Sequence, residues 1–289
     1  MSTATFLVHP ERPDARALTL DTVEWLHAQG VAARVLQFTA PDRVSEDGHE
    51  ADIDEVDLKG TTVVVSMGGD GTFLRAVRLA WAEDIPVLGV NYGRFGYLPD
   101  LVPAEVRVAL TRVFEARAII ESRCALEVAI GDRSLPDAVF THLALNEVVL
   151  EKIIFGHTVR LATSIDGEEV LTYSADGLLI ATPTGSTAYN LSAGGPILSP
   201  ALRAMVVTPV APHLSLDRSL VLTDQQRFMV EISADRAAVL VIDGEEIGRL
   251  EPGSTVTCQV ATRPVRVVRN DPHGFGGMLR VRLLADRAR

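Results

Sequence analysis

The segment Val63-Val64-Val65-Ser66-Met67-Gly68-Gly69-Asp70-Gly71-Thr72-Phe73-Leu74 sets a β-branched run directly before three glycines that surround one aspartate. Such a run reads as a buried strand. The residues after it place Phe73, Leu74, Val77 and Trp81 near one face of a helix. A strand, a glycine turn and a helix start form the geometry that holds phosphate groups. Glycines let backbone N–H groups approach the anion, and the helix N-terminus adds partial positive charge. Asp70 is out of place there, because its charge repels phosphate. It makes sense if the carboxylate has chemical work, such as taking the proton of a hydroxyl that attacks a phosphoryl group. Alone, the segment also reads as a glycine-rich turn with a helix-capping Asp.

The neighbouring sequence extends this unit. Residues 5–10 read as a strand, 13–29 as a helix ended by Gly30, and Val31–Phe38 as a second strand. Residues 39–60 carry Asp42, Glu46, Asp47, Glu50, Asp52, Asp54, Glu55 and Asp57 and are expected to be a solvated loop or short helix. A further strand is expected at Ile85–Val90. This βαβ alternation predicts an α/β domain with a parallel sheet, in which ligands bind beyond the carboxyl ends of the strands. The glycine loop lies at such an end.

The character changes near residues 118–124. From Cys124 onward the segments are short and β-like: Ala125–Ile130, Ala144–Leu150, Thr158–Ile165, Glu169–Tyr173, Leu178–Thr182, Val206–Pro209, Phe228–Ile232, Val239–Ile242, Thr255–Val260 and Val265–Val268. Asp166-Gly167 and Asp243-Gly244 are hairpin-turn signals among them. The chain therefore divides into an α/β N-terminal domain, residues 1–120, and a β-rich, sandwich-like C-terminal domain, residues 121–269. The tail, 270–289, fits either.

Composition narrows the function. The 289 residues carry a formal net charge of −11, opposite in sign to that expected of a nucleic-acid or membrane-surface binder. Hydrophobic residues make up 47%, so the chain can bury real cores. Cys124 and Cys258 lack CxxC spacing and the histidines form no HExxH pattern, so no dedicated metal site is expected. No signal peptide or apolar span near 20 residues is read, and the cytoplasm is the expected compartment.

Four further constellations carry chemistry. Gly89-Val90-Asn91-Tyr92-Gly93-Arg94-Phe95-Gly96-Tyr97-Leu98 is a second glycine turn, where Asn91 can bind a ribose or a base. It equally reads as a polar turn between core elements. Asn146-Glu147 sits inside the apolar run Leu145–Val149 and would suit a ribose diol if buried. An edge position in water is the other reading. The segment Asp176-Gly177 to Thr182-Pro183-Thr184-Gly185-Ser186-Thr187-Ala188-Tyr189-Asn190-Leu191-Ser192 offers hydroxyls, small residues and an aromatic face, with a helix expected to start near Thr187. Asp243-Gly244 reads first as a turn.

Taken in order, Gly68-Gly69-Asp70-Gly71-Thr72, Asn146-Glu147, the Asp176-to-Tyr189 segment and Ser192-Ala193-Gly194-Gly195-Pro196 resemble the NAD kinase family, from about residue 5 to the C-terminus. The glycine motif is shared with phosphofructokinases and lipid kinases. The threonine-rich motif with the Asn-Glu pair is more specific. The resemblance implies transfer of a phosphoryl group from ATP or polyphosphate to the 2′-hydroxyl of the adenosine ribose of NAD, with Mg²⁺ carried by the donor. It implies that Asp70 activates that hydroxyl and that Gly68, Gly69, Gly71 and Thr72 hold phosphate, with Arg75 as a cation. Asn91, Phe95, Asn146, Glu147, His157, Ser174, Asp176, Thr184, Thr187, Ala188, Tyr189, Asn190, Leu191, Ser192, Asp243 and Glu245 are implied to line the nucleotide sites. It further implies a homodimer or homotetramer, with the active site between the domains and His157 a candidate for sharing between subunits. Ser174 stands where some members have arginine, Glu245 where many have glutamine, and Arg94-Phe95-Gly96-Tyr97 where Leu-Gly-Phe is commoner. A lipid or sugar kinase with the same loop is the alternative enzyme. A non-catalytic dinucleotide sensor is the alternative of another class.

Overall fold

A computed structural model describes every residue except 1, 41–42, 47–48, 93–97, 133–139, 214–215, 234–235, 270–274, 278 and 281–289. The chain forms two compact units, Met1–Ser122 with Val265–Arg289, and Arg123–Pro264.

The first unit opens with β1 (Thr3–Val8), α1 (Pro13–Ala28) and β2 (Ala32–Ala40), followed by β3 (Arg43–Glu46) and β4 (His49–Asp52). Then come β5 (Thr61–Gly68), α2 (Asp70–Trp81), β6 (Val87–Asn91), α3 (Val106–Phe114) and β7 (Ile119–Arg123). β1 lies between β2 and β5, and β5 between β1 and β6, all parallel. Each central strand is buried on both faces, as Phe6, Leu7, Val63, Val64 and Val65 show at 0% exposure. This is why they read as continuous apolar runs. Pro13 starts α1 at a position where its missing N–H costs nothing.

Among the described residues of 39–60, two short strands replace the expected solvated loop, and the short helix is one 3₁₀ turn. β2, β3 and β4 form an antiparallel edge, and Ile53–Glu55 adds a 3₁₀ turn. The acids are numerous, but Val44, Ile53 and Leu58 are buried and fix the fold of the stretch. Arg34 secures it, donating from Nη2 to Glu46 Oε2 at 2.6 Å and from Nη1 to the Asp57 carbonyl at 2.5 Å.

The second unit contains β8 (Leu126–Asp132), β9 (Phe140–Ala144), β10 (Glu147–Lys152), β11 (Val159–Ile165), β12 (Glu168–Ala175) and β13 (Gly177–Ala181). It continues through α4 (Tyr189–Ser192), β14 (Ala204–Val210), β15 (Leu220–Thr223), β16 (Arg227–Ile232), β17 (Ala238–Ile242), β18 (Glu245–Leu250) and β19 (Ser254–Val260). Among the described residues these strands make two six-stranded sheets, ordered β15-β14-β13-β10-β17-β18 and β12-β11-β16-β19-β8-β9. One apolar cluster takes Val148, Leu150 and Ile180 from the first sheet and Leu161, Phe228 and Val256 from the second, which makes the unit sandwich-like. The expected strand Ala144–Leu150 is broken at Leu145-Asn146, for a reason given by the site below.

The last strand, β20 (Val265–Arg269), corrects the sequence reading. It was expected in the second domain, but it lies between β6 and β7 in the sheet of the first unit and pairs Val267 with Val87 in parallel. β6 needs a hydrogen-bonding neighbour on that side, and an alternating Val-Arg strand serves either kind of sheet. Among the described residues no helix is long and apolar enough to cross a membrane.

Candidate active site

In the first unit the glycine loop joins β5 to α2 as the sequence predicts. Gly69 stands at the helix N-cap and Asp70 in the first turn. The glycines have different reasons. A Cβ on Gly68 would lie 2.2 Å from Thr72 Oγ1, so packing alone requires glycine there. A Cβ on Gly69 or Gly71 would meet nothing within 4 Å. Neither has a positive φ, so among the described residues no steric or backbone demand explains them. The open space over these backbones suits a ligand that approaches their amides. Asp70 is half-buried, and its Oδ1 accepts from the Leu98 amide at 3.3 Å. Asn91 pairs in register with Gly68 and is 9% exposed. The Arg75 guanidinium lies 4.6 Å over the Phe38 ring, so its position is set by β2 as well as by its own helix. Phe95 and the rest of 93–97 fall outside the described residues.

The second unit gathers a larger group. β10 sits between β13 and β17, so Glu147 at its start and Asn146 just before it are 7% and 9% exposed rather than in water at an edge. Asn146 Oδ1 and Glu147 Oε2 have no hydrogen-bond partner among the described residues. Two buried acceptors side by side, each able to bind a hydroxyl, are costly in the empty protein and useful in a liganded one.

Asp243 holds this pair. Its Oδ2 accepts from the Leu145 amide at 2.8 Å, and its Oδ1 from the amides of Asn146 and Glu147 at 2.7 and 3.0 Å. The carboxylate takes three consecutive backbone donors out of the β-ladder, which breaks the expected Ala144–Leu150 strand. Asp243-Gly244 is also the hairpin turn between β17 and β18, with φ values of 50° and 80°. Both roles belong to one residue; its spacing revealed only the turn, and the family resemblance added a place at the edge of the nucleotide site. Glu245 begins β18 directly after it, half-buried.

The 182–192 segment is an internally bonded turn. Thr182 Oγ1 donates to the Leu145 carbonyl at 2.5 Å and accepts from the Gly185 amide at 3.0 Å. Ser186 Oγ donates to the Pro183 carbonyl at 2.6 Å, and Thr187 Oγ1 to the Thr184 carbonyl at 3.2 Å. Asn190 is fully buried and its amide turns inward, donating to the Ser186 and Pro196 carbonyls and accepting from Thr208. The hydroxyls expected to face a ligand thus mostly build the turn. The helix expected near Thr187 is a 3₁₀ turn, Gly185–Thr187, followed by the single turn α4. They are interrupted at half-buried Ala188, whose φ and ψ are −95° and −126°. Past that break the Tyr189 amide donates to the Glu147 carboxyl. Leu191 is half-buried and Ser192 exposed.

A second cluster adjoins it. Tyr189, 39% exposed, donates from its hydroxyl to Glu151 Oε1 at 3.1 Å, and Lys152 Nζ lies 2.7 Å from Asp176 Oδ1. Glu151 and Lys152 were not singled out in the sequence; the available signal was that Glu151 lies four residues, two same-face steps, beyond Glu147 on β10, with Lys152 next to it. Ser174 Oγ lies 2.9 Å from Thr158 Oγ1. His157 is exposed and lines a cavity of about 220 Å³ with Lys152, Arg236 and Arg249.

Burial pushes the Glu147 carboxyl up to about 8, helped by the nearby charge of Asp243 and opposed by the Tyr189 amide. In the unfolded chain the same group titrates near 4.5. Below that pH both states are protonated and the contribution to stability is complete. As pH rises towards 8 the unfolded chain releases its proton first, so the folded state loses up to about 1.4 kcal/mol per pH unit. Glu147→Gln is neutral throughout. Urea unfolding of the ligand-free protein should show wild type losing stability relative to the variant between about pH 5 and 8. Parallel curves would mean an ordinary carboxylate.

Comparison with known proteins places this geometry. Residues 5–119 match the model of the ATP-NAD kinase N-terminal domain, and residues 145–270 that of the ATP-NAD kinase C-terminal domain. The chain is 34% identical over 274 residues to the NAD kinase of Syntrophotalea carbinolica, covering 94% of each. It is 37% identical over 311 residues to NAD kinase 1 of Streptomyces coelicolor, covering 96% of this chain and 84% of the relative. Among solved structures, yeast NADH kinase complexed with NADH superposes with a TM-score of 0.81 at 24% identity, covering 97% of this chain and 87% of the other. An NAD kinase from Archaeoglobus fulgidus in complex with ATP superposes with a TM-score of 0.71 at 25% identity, covering 96% and 99%.

Proposed function

The chain belongs to the ATP-NAD kinase family, and from that premise we propose that it phosphorylates NAD on the 2′-hydroxyl of its adenosine ribose, with ATP as donor, to give NADP. The observation that carries the reading is the pairing of two features. One is a carboxylate at the head of α2 beside two glycines whose backbones face open space. The other is a buried Asn-Glu pair with acceptor atoms to spare. The chemistry gives each unit a task. Asn146, Glu147, Asp176 and Tyr189 hold and orient the dinucleotide. The amides of Gly69–Thr72 take the negative charge of the donor phosphates. Asp70 accepts the proton of the attacking hydroxyl as the bond to phosphorus forms. Mg²⁺ fits as a companion of the donor, since triphosphate oxygens are the hard ligands it prefers, and it would neutralise charge on the transferred group. The test is NADP formation from NAD, with ATP and polyphosphate as parallel donors. A folded protein that makes none with either refutes the reading.

Gly71→Ala separates folding from binding. Alanine is the better helix residue and meets no neighbour, so the melting temperature should stay level or rise. The added methyl occupies the space assigned to the donor, so the KM for ATP should rise at least about tenfold. Unchanged kinetics would mean that no ligand approaches this backbone.

We also place the protein as a homo-oligomer in the cytoplasm. Two free buried cysteines suit a reducing compartment. Phe155, 95% exposed beside Ile154 at 56%, is an apolar patch of the second unit that a subunit contact would cover. Light scattering at micromolar concentration should give a multiple of 31.1 kDa. A monomer with full activity would refute it.

A further inference from the structure

Arg123 closes β7, is 5% exposed and belongs to neither constellation described above. Its Nη1 donates to Thr184 Oγ1 at 3.3 Å; both are buried, and Arg123, the last residue of β7, is the first residue of the second unit, to which Thr184 also belongs. A guanidinium does not shed its charge on burial, so a site that buries one commits several donors in fixed directions. Thr184 is one of the residues that hold the turn together. Its carbonyl accepts from Thr187 Oγ1, and the next residue, Gly185, lies against the Asn146 backbone. The same turn leads to the Tyr189 amide that binds the Glu147 carboxyl. The path from Arg123 to the Asn146-Glu147 pair thus runs through one side-chain hydrogen bond and one short turn.

We propose that Arg123 is a positioning residue for the dinucleotide: its guanidinium, through the Thr184 hydroxyl, fixes the 182–189 turn against Asn146 and Glu147. It touches no substrate itself. The inference rests on the NAD kinase reading and names a further determinant of acceptor binding within it.

The two partners are tested together. Thr184→Val keeps the shape and removes the hydroxyl, Arg123→Lys keeps the charge and one line of donors, and Arg123→Met keeps neither. KM for NAD should rise about three- to tenfold in Thr184→Val and more in Arg123→Met, with Arg123→Lys between Met and wild type. KM for ATP should stay within about twofold of wild type. The double variant Arg123→Met with Thr184→Val should be no worse than Arg123→Met alone, because both remove one link. A residue that merely stabilises the fold would lower the active fraction and leave KM for NAD unchanged. That result, equal rises in both KM values, or additive effects in the double variant would overturn the proposal. If Arg123→Met does not fold, Thr184→Val and Arg123→Lys still decide: wild-type KM for NAD in both overturns it. A wild type that makes no NADP would instead refute the functional reading.

Discussion

Asp70→Asn is expected to fold, to bind NAD nearly as well as wild type, and to turn it over about 10²–10⁴-fold more slowly. The amide has the shape of the carboxylate and can still accept from the Leu98 amide that bonds Asp70 Oδ1. It cannot accept a proton from a ribose hydroxyl. The loss should therefore fall on kcat, with little change in KM for NAD. A titration of NAD by calorimetry and a steady-state assay on one preparation give both numbers. Turnover near the wild-type rate would remove Asp70 as the base and leave it as an acidic residue of the first turn of α2.

Gly185→Ala should produce a larger structural effect than an alanine at any other described glycine of the second unit. An added Cβ would stand 2.0 Å from the Asn146 carbonyl oxygen and 2.4 Å from its carbon. Both atoms are backbone, so no flexible side chain can yield. The Asn146 carbonyl also accepts from the Thr182 amide at 2.8 Å, and parting the two segments breaks that bond too. Overpacking of this kind costs about 1–3 kcal/mol, more where backbone must move. The shift occurs at the Asn-Glu pair, so NAD affinity should fall with stability. Urea denaturation and NAD calorimetry would show it. A wild-type midpoint together with wild-type affinity would mean that the turn does not lie on Asn146.

The parts of the structure that were legible in sequence are those written locally. The strand, glycine loop and helix at 61–81 follow from a β-branched run, three glycines and an apolar helical face. Asp166-Gly167 and Asp243-Gly244 both fold as turns with two successive positive φ values, which the Asp-Gly pair accommodates. The illegible parts depend on partners far along the chain. The carboxylate of Asp243 reaches amides 96 to 98 residues away, and Arg123 reaches Thr184 across 61. No spacing rule connects such pairs. The threonine-rich segment misled in a different way. Its hydroxyls are numerous because a tight buried turn has many backbone groups to satisfy, and Thr182 and Ser186 serve that need first. Within the acidic stretch 39–60, three buried apolar residues outweighed the many charges around them.

The position of β20 sets an order of events during synthesis. It is an interior strand of the first sheet, yet it is encoded after every strand of the second unit. The first unit therefore emerges from the ribosome with a gap between β6 and β7, while Arg123–Pro264 emerges as one uninterrupted stretch. Domains tend to fold as their chain becomes complete. The later-encoded unit can thus finish first, and the segment bearing Asp70 gains its full sheet only when residues 265–269 have been made.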